Sequence, residues 1–316
     1  MSSSPQKHVV VLGGGPDAER PVSLTSAKFV AAALQASARF RVTSHTIDRL
    51  SQADLKAIPG DVIVPVLHGL WGEGGPLQEL LERDGRPFVF SGSRASRLAM
   101  DKIATKFAAL RLGIPTPAAH ILDLRDPTCP IDVPVIIKPV HEGSTIGLYV
   151  VNTEQEWQSA MTAIRADLAK QRADASPPRS YMIEPKIGGA ARARELTIGI
   201  LDGAPLPIIE IVPADGLYDY EAKYTRNDTQ YLLDPPLPPG VDARVKDMSV
   251  RLAKEIGVRH VARADFMLDQ SGNPWLLEIN TIPGFTDHSL VPKAAKHTGL
   301  DMPALCAKLV DMALNN

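Results

Sequence analysis

Acidic and amide side chains share one face of a predicted β-hairpin. Residues 263–268 and 275–280 are two apolar-rich runs joined by a short turn that contains glycine, which predicts a pair of antiparallel strands. Side chains alternate along a strand, so every second residue points to the same side. Carboxylate and amide oxygens on one side suit Mg²⁺ that holds the phosphates of a nucleotide. The residues that would form this face are Arg263, Asp265, Glu278 and Asn280.

The opposite face of the hairpin would pack into the core through Phe266, Leu277 and Ile279. The length of the turn places Asp265 within about one register step of Glu278. An ordinary exposed sheet face also carries polar residues at alternate positions. The hairpin residues alone therefore leave metal binding and a plain polar sheet face both open.

Two lysines and a glycine loop are candidates for binding phosphate groups. Lys138 ends the apolar run PVIIK, where a cation at a strand terminus projects into a cleft, and Lys102 is the second candidate. The loop EGSTIG, residues 142–147, has two glycines that permit close backbone approach and groups that can wrap an anion. A plain hairpin turn remains the alternative. The loop lacks the spacing GxxxxGK[ST], which disfavours a P-loop NTPase.

Glu19 and His68 lie just after predicted strands near the start of the sequence. Glu19 is near a helix N-terminus, where a carboxylate either satisfies the helix dipole or receives a substrate ammonium group. His68 ends the run VIVPVL, at the edge where α/β sheets bind ligands, although a purely structural histidine is the alternative. The glycines at 13–15 fit the GxGxxG pattern only in part, because Ala18 takes the third position, so a nicotinamide dehydrogenase is a distant reading.

The elements that must position these residues alternate between strands and helices. Strands at 8–12 and 61–67, with a helix opening at Pro76, predict βαβ units and a parallel sheet. A helix over 96–112 would follow, with Leu98, Ile103, Phe107 and Leu110 on one face. Residues 213–240 carry five prolines and no periodicity, which predicts an irregular, functional segment. Further strands are expected at 135–138, 148–151, 181–184, 195–201, 206–212, 261–268 and 275–279, and helices at 154–173 and 242–256.

The composition excludes several classes of protein. Lys and Arg number 34 against 36 Asp and Glu, a net charge of −2, which argues against a nucleic-acid-binding protein. Two cysteines, Cys129 and Cys306, cannot build a disulfide framework and favour a reducing compartment. No uninterrupted apolar run approaches the roughly 18 residues that span a bilayer, and the polar start does not predict a signal peptide. We therefore expect a soluble, cytoplasmic protein.

Taken together, the motifs closely resemble those of the D-alanine–D-alanine ligases of the ATP-grasp superfamily. They occur in the same order and at similar spacing from Val9 almost to the C-terminus. The last stretch is the most specific, because it joins the metal residues to a glycine and a serine of the acceptor site. The matching stretches are GGGPDAERPVSL, LHGLWGEGGPLQ, SGSRASRLAMDKIATK, GIPTP, IIKPVHEGSTIG, YDYEAKY, RADFML and LLEINTIPGFTDHSLVP.

The resemblance implies an α/β protein of the ATP-grasp fold. A Rossmann-like N-terminal domain (1–95) would precede a central ATP-grasp subdomain (96–186) and a C-terminal ATP-grasp domain (187–316) with a lid at 213–240. The implied activity is ATP-dependent ligation of two D-alanines through D-alanyl phosphate, releasing ADP and phosphate, for peptidoglycan precursor synthesis. It implies two Mg²⁺ ions, with Mn²⁺ as a possible substitute, and a homodimer, with no nucleic-acid or membrane partner.

The resemblance also implies a role for each site residue. Asp265, Glu278 and Asn280 would hold the metal ions. The ATP site would comprise Lys102, Lys138, Gly143, Ser144, Glu184, Glu195 and Lys223. Glu19, coupled to Ser144 and Tyr224, would contact the ammonium group of the first D-alanine, with His68 beside it. Arg263 and the Gly284 amide would stabilise oxyanion charge, and Ser289 with the Leu290 amide would receive the carboxylate of the second D-alanine.

Several features depart from the pattern of that family, and two of them bear on the proposed sites. Pro185 follows Glu184 and removes a backbone donor near the expected adenine. Asp287 replaces a small hydroxyl residue beside the acceptor carboxylate, where an extra anion would weaken D-alanine binding or change acceptor choice. A related ligase with another acceptor, such as D-serine, is therefore the first alternative. A non-catalytic nucleotide-binding protein is the second, and the intact lysines and metal residues argue against it.

Overall fold

The computed structural model describes residues 6–143, 145–173, 178–189, 191–214 and 228–315. Their strands form three sheets, one parallel and two antiparallel, with helices packed against them. No helix in these ranges is long and apolar enough to cross a membrane. The alternation of strands and helices predicted from the sequence is thus confirmed.

The N-terminal sheet has the order β2-β1-β3 and is parallel throughout. The valines and the leucine of the central strand are fully buried, as the apolar run predicts. The strand Arg41–Ile47 was not predicted, because its sequence RVTSHTI alternates polar residues along an exposed edge. The elements are β1 (His8–Gly14), α1 (Arg20–Ala36), β2 (Arg41–Ile47), α2 (Gln52–Ala57), β3 (Val62–Pro65), α3 (Gly69–Gly72) and α4 (Pro76–Asp84).

The helix predicted over 96–112 is in fact two helices, α5 (Ser93–Met100) and α6 (Lys102–Arg111). The break falls at Asp101, whose φ of −84° and ψ of 104° are extended. Its side chain accepts a hydrogen bond from the Ala104 backbone N–H at 2.9 Å and so caps α6. The apolar periodicity of the sequence therefore does not reveal a helix boundary that is set by a capping aspartate.

The apolar face predicted for this region is also wrong. Phe107 and Leu110 are 64% and 59% exposed. The buried face of α6 instead contains Lys102, Thr105, Lys106 and Ala109. The helix turns its lysines inward because buried polar partners surround them.

The central sheet has the order β4-β7-β5-β6 and is antiparallel. Its apolar side packs against a long helix through Trp157, Met161 and Ile164. The elements are β4 (His120–Ile121), β5 (Val135–Pro139), β6 (Tyr149–Val151), α7 (Glu154–Ala173) and β7 (Tyr181–Pro185).

The C-terminal sheet has the order β10-β9-β8-β11-β12 and is also antiparallel. The strand Gln230–Leu233 pairs with residues 209–212, so the prediction of an irregular segment over 213–240 is wrong there. The elements are β8 (Arg194–Leu201), β9 (Ala204–Val212), β10 (Gln230–Leu233), α8 (Val241–Ile256), β11 (Val261–Leu268), β12 (Pro274–Asn280), α9 (Leu290–His297) and α10 (Met302–Leu314).

The N-terminal and C-terminal sheets share one apolar core. Leu305 and Leu309 of α10 belong to the same buried cluster as Val9 and Val11 of β1. On the surface nearby, the two Nη atoms of Arg39 bind the two carboxylate oxygens of Asp311, each at 2.9 Å. Helix α10 is therefore part of the layer that covers the N-terminal sheet.

His260 joins the two parts of the chain at the start of β11. Its φ is +62°, in the left-handed region, and its Nδ1 accepts a hydrogen bond from the Phe90 backbone N–H at 3.0 Å. Burial and the Arg259 charge lower the pKa of His260 to about 4, against an opposing effect of Asp202. The imidazole ring of His260 is therefore neutral near pH 7, where it accepts the hydrogen bond from Phe90.

Acidification should weaken the fold through this histidine. The unfolded chain binds more protons than the folded one between pH 6.5 and pH 4, so the free energy of unfolding falls as the pH drops through that window. Asparagine tolerates the left-handed backbone and offers an oxygen to Phe90. We expect His260→Asn to reduce the stability lost between pH 7 and pH 5 by about 1 kcal/mol, allowing for partial solvent screening.

Denaturant titrations at pH 7 and pH 5 measure this difference. The matched control is His120→Asn, which changes an exposed histidine of β4. An identical pH dependence in the wild type and in His260→Asn would contradict the prediction.

Candidate active site

The acidic pair predicted on the hairpin is brought together by strand register. Asp265 of β11 lies directly opposite Glu278 of β12, and Arg263 lies opposite Asn280. This pairing confirms that the two carboxylates lie within one register step of each other.

A β-bulge in the same hairpin changes which apolar residue reaches the core. The register shifts between Asp265 and Phe266, and Phe266 pairs with Leu276. Leu276 is fully buried, whereas Leu277 lines a cavity next to Glu278. The prediction that Leu277 packs into the core is therefore wrong, because strict alternation does not hold across a bulge.

Asp265 is held by two neighbours on its own sheet. Arg263 binds it with both arms of the guanidinium, Nε to Oδ1 at 2.9 Å and Nη2 to Oδ2 at 2.8 Å. Thr197 Oγ1 on β8 donates to Asp265 Oδ1 at 2.6 Å. A bidentate pair of this kind fixes the direction of both charged groups.

The two predicted phosphate lysines face the hairpin from other elements. Lys102, the first residue of α6, donates to the Glu142 carbonyl oxygen at 2.5 Å and lies 3.4 Å from Glu278 Oε2. Lys138 on β5 forms a short ion pair with Glu184 Oε1. Both lysines are buried, so each cation is held by an anion or a carbonyl group close to the cavity.

Gly143 brings the glycine loop against Glu19. A Cβ at this position would lie 3.1 Å from Glu19 Oε2 and 3.3 Å from Oε1. Only a residue without a side chain allows this approach without displacing the carboxylate. The glycine loop therefore lies directly against the carboxylate of Glu19, just before α1.

Every predicted site residue within the described ranges lines one of two adjoining cavities. The larger, about 340 Å³, lies between the central and C-terminal sheets, and the smaller, about 100 Å³, lies beside the N-terminal sheet. They share Gly143, Arg263, Glu278 and Leu290. The larger is lined in addition by Lys102, Lys138, Glu184, Glu195 and Asp265, and the smaller by Glu19, His68, Asn280, Gly284 and Ser289.

Three predicted residues, Ser144, Lys223 and Tyr224, lie outside the described residues, as does the part of the predicted lid from 215 to 227. Their assigned roles stay predictions.

His68 lies three residues after the end of β3, at the N-cap of α3, and lines the smaller cavity. Burial and the positive charge of Arg263 lower its pKa to about 4, and a hydrogen bond to the Ile282 backbone opposes the shift. The ring is therefore neutral near pH 7, which suits a hydrogen-bonding contact rather than a positive charge.

Glu73 is a candidate site residue that the sequence reasoning missed. It lines the smaller cavity and accepts a hydrogen bond from the Gly69 backbone N–H at 3.1 Å. Burial and the nearby charge of Glu19 raise its pKa well above the ordinary value. The signal was an acid inside the glycine-rich run HGLWGEGG, but one acid in a loop is common and points to no particular partner.

The predicted acceptor residues meet at the start of α9. Ser289 is the N-cap, and its Oγ accepts a hydrogen bond from the Thr286 backbone N–H at 2.9 Å. A Cβ on Gly284 would lie 2.9 Å from this Oγ, so the glycine is needed for the close turn. With the Leu290 N–H in the first turn, this helix end suits a carboxylate.

Asp287 lies at the edge of the predicted acceptor site rather than inside it. Its side chain is 60% exposed and lies 3.6 Å from His288 Nε2. It is not among the described residues that line the smaller cavity, whereas His288 is. Its repulsion of a bound carboxylate is therefore screened by solvent.

The family resemblance implies a second D-alanine at this site, and we expect Asp287→Ser to lower the KM for that acceptor. The effect should be no more than about threefold, since exposed charge interactions contribute little. Initial rates over a range of D-alanine concentrations give a separate KM for each of the two substrate sites. The matched control is Asp301→Ser at the exposed N-cap of α10. An unchanged KM for the acceptor would show that Asp287 does not contribute to the specificity of this site.

The hairpin fits a divalent cation bound together with phosphate oxygens. Among the described residues, no group of three His, Cys, Asp or Glu side chains is arranged as a metal site. The set is two carboxylates and one amide, and Mg²⁺ commonly takes one or two carboxylates plus substrate phosphates. The donor chemistry therefore suits a metal that arrives with the nucleotide.

Two antiparallel sheets that enclose a nucleotide-sized cavity, lined by buried lysines and by the acidic hairpin, define an ATP-grasp enzyme. The family described as D-ala D-ala ligase C-terminus matches residues 126–311. The chain belongs to the D-alanine–D-alanine ligase family.

The similarity extends over nearly the whole chain. The D-alanine–D-alanine ligase of Bordetella petrii is 43% identical over 315 residues, covering 96% of this chain and 91% of that protein. The ligase of Syntrophotalea carbinolica is 40% identical over 308 residues, covering 96% and 95%. The ligase structure from Bacillus anthracis complexed with ATP superposes with a TM-score of 0.78 at 29% identity, covering 99% and 98%. That from Coxiella burnetii gives 0.80 at 26% identity, covering 99% and 95%.

Proposed function

We propose that this enzyme joins two molecules of D-alanine into D-alanyl-D-alanine and converts ATP to ADP and phosphate. The observation that carries the proposal is the shared wall of the two cavities. Arg263 and Glu278 face both of them, so a phosphate group in the larger and a carboxylate in the smaller would meet beside these residues. The relatives compared above are all named D-alanine–D-alanine ligases, which does not favour D-serine as the acceptor.

The reaction needs an activated carboxylate, because a free carboxylate is a poor acyl donor. The first D-alanine would be held by its ammonium group at Glu19, with the neutral His68 beside it. Its carboxylate attacks the γ-phosphorus of ATP, giving D-alanyl phosphate and ADP. Lys102 and Lys138 would orient the phosphates for this transfer, and Glu184 and Glu195 would contact the adenosine part.

The second step forms the peptide bond. The amine of the second D-alanine attacks the acyl carbon, the carbon–oxygen bond to phosphate breaks, and the amine loses a proton. Ser289 and the Leu290 N–H would hold the carboxylate of this second D-alanine. Arg263 and the Gly284 N–H would offset the negative charge on the oxygen of the tetrahedral intermediate.

We propose that Asp265, Glu278 and Asn280 hold two Mg²⁺ ions, with Mn²⁺ able to replace them. When bound, the divalent ions offset negative charge on the phosphate oxygens. Water must also be excluded, since an acyl phosphate hydrolyses readily. We assign that task to the segment 213–240 together with Ser144, Lys223 and Tyr224, on the strength of the family resemblance.

The wider context of the reaction also follows from the family. We propose a Rossmann-like domain at 1–95, a central subdomain at 96–186 and a C-terminal domain at 187–316, assembled as a homodimer. The need for ATP and the free thiols of Cys129 and Cys306 support action in the cytoplasm. The dipeptide would enter peptidoglycan precursors.

Phosphate release with ATP, Mg²⁺ and D-alanine, with the product identified by mass, tests the proposal. We expect D-alanyl-D-alanine only when both ATP and Mg²⁺ are present, and no dipeptide from L-alanine. Turnover with D-serine but not with D-alanine as the acceptor would contradict the assigned specificity. Nucleotide binding without any dipeptide would contradict the proposed activity.

A further inference from the structure

Lys106 of α6 is a buried amine for which the proposed mechanism has no use. Its side chain is 5% exposed, and its Nζ lies 2.9 Å from Glu184 Oε2. The same nitrogen donates to Thr116 Oγ1 at 3.0 Å and to the Pro117 carbonyl oxygen at 2.7 Å. Its ammonium group is thus in contact with three protein oxygens, through one ion pair and two hydrogen bonds.

Lys106 is unlike the two lysines assigned to the phosphates. Lys102 and Lys138 line the larger cavity, and Lys106 is absent from its described lining. The amine contacts Glu184, which does line that cavity. Any effect of Lys106 on the bound nucleotide must therefore pass through Glu184.

Glu184 is held from both sides. Lys138 binds its Oε1 and Lys106 pairs with its Oε2, and the residue is only 2% exposed. Burial raises the pKa of this carboxyl, but the two lysines outweigh that effect and the pKa is lowered. If Lys138 turns to the ATP phosphates during the reaction, Lys106 is the cation that stays with Glu184.

Thr116 links this cluster to the metal hairpin. Its Oγ1 donates to the Leu276 carbonyl oxygen of β12 at 2.9 Å while it accepts from Lys106. Lys106 therefore contacts the loop after α6 as well as the central sheet, and its position is fixed independently of the nucleotide.

We propose that Lys106 is a positioning residue that holds the Glu184 carboxylate toward the nucleotide cavity, where it accepts a hydrogen bond from the exocyclic amino group of adenine. The inference rests on the proposed function, since it assumes that ATP occupies the larger cavity. A carboxylate accepts hydrogen bonds and repels a carbonyl oxygen. The site should therefore select ATP over a purine triphosphate with a carbonyl group at that ring position, such as inosine triphosphate.

The test is Lys106→Met, which keeps an unbranched side chain and removes the charge. We expect the preference for ATP over inosine triphosphate, measured as the ratio of kcat/KM values, to fall at least about tenfold. The fall should come mainly from a higher KM for ATP, with kcat within about threefold of the wild type. The KM values for D-alanine should not change.

Thr116→Val is the matched control in the same cluster. It removes the hydroxyl group but leaves the pair of Lys106 with Glu184, so it should lower stability while keeping the nucleotide preference within about twofold. An equal loss of preference in Thr116→Val would assign Lys106 a purely structural role and overturn the proposal. An unchanged preference in folded Lys106→Met would overturn it as well.

Two further measurements keep the test decisive. Lys106→Gln retains a donor for Thr116 without a charge, and it replaces the methionine variant if that protein does not fold. Calorimetric titrations with ADP and with inosine diphosphate measure the two affinities, and so the preference for the base, without turnover. A wild-type protein that prefers ADP but makes no dipeptide would contradict the proposed function and leave this inference standing, whereas equal affinities would overturn the inference alone.

Discussion

Replacing Asp265 by Asn is expected to lower the rate of dipeptide formation by about a thousandfold. The change keeps the size of the side chain but removes the charge that pairs with Arg263 at 2.8 Å. It also weakens the oxygen set proposed to hold the divalent ions. The measurement is kcat at saturating ATP and D-alanine over a Mg²⁺ titration, in which half-maximal activity should require at least about tenfold more Mg²⁺.

The control for this variant is Asp247→Asn on the exposed side of α8, which removes a surface ion pair with Arg251. Such a pair contributes little, so the control should keep nearly full activity. If Asp265→Asn retained more than about a tenth of the wild-type rate, Asp265 would have no essential part in the reaction.

Arg263→Lys is expected to lower kcat by about a hundredfold while changing the KM for ATP less than threefold. Lysine keeps the positive charge but not the planar fork that binds both oxygens of Asp265. One compact ammonium group cannot hold that carboxylate and also reach a developing oxyanion in the adjoining cavity. The loss should therefore appear in the chemical steps rather than in nucleotide binding.

Steady-state kinetics with ATP and D-alanine varied in turn separate these effects. Arg251→Lys, a conservative change on the surface of α8, is the matched control. A loss confined to the KM for ATP would place Arg263 with the nucleotide and contradict the role assigned to it.

The sequence predicted most strands and the long helices because their apolar periodicity is uninterrupted. It failed where a local contact overrides periodicity. Asp101 divides one helical pattern into two helices through its cap, and the bulge after Asp265 turns Leu277 out of the core. Phe107 is exposed while Lys106 is buried, an inversion that depends on Glu184, a residue far away in the sequence.

Predicting the site was easier where spacing alone sets the geometry. A two-stranded hairpin with a short turn nearly determines that Asp265 faces Glu278. The pairing of Lys138 with Glu184 joins two neighbouring strands of the central sheet that are far apart in the sequence. The contact of Gly143 with Glu19 joins the loop after β5 to the segment before α1. The family resemblance assigned a role to each of these residues but did not predict the two contacts, because no local pattern specifies which distant carboxylate a lysine meets.

The packing of α10 on the N-terminal sheet has a consequence for synthesis on the ribosome. Helix α10 begins at Met302, whereas the last strand of that sheet ends at Pro65, so the strands emerge long before the helix that completes their cover. Until then, Val9 and Val11 lack the contacts of the cluster they share with Leu305 and Leu309. This exposed apolar surface is prone to aggregation until translation has passed α10. Binding of a chaperone would protect the nascent chain during that time.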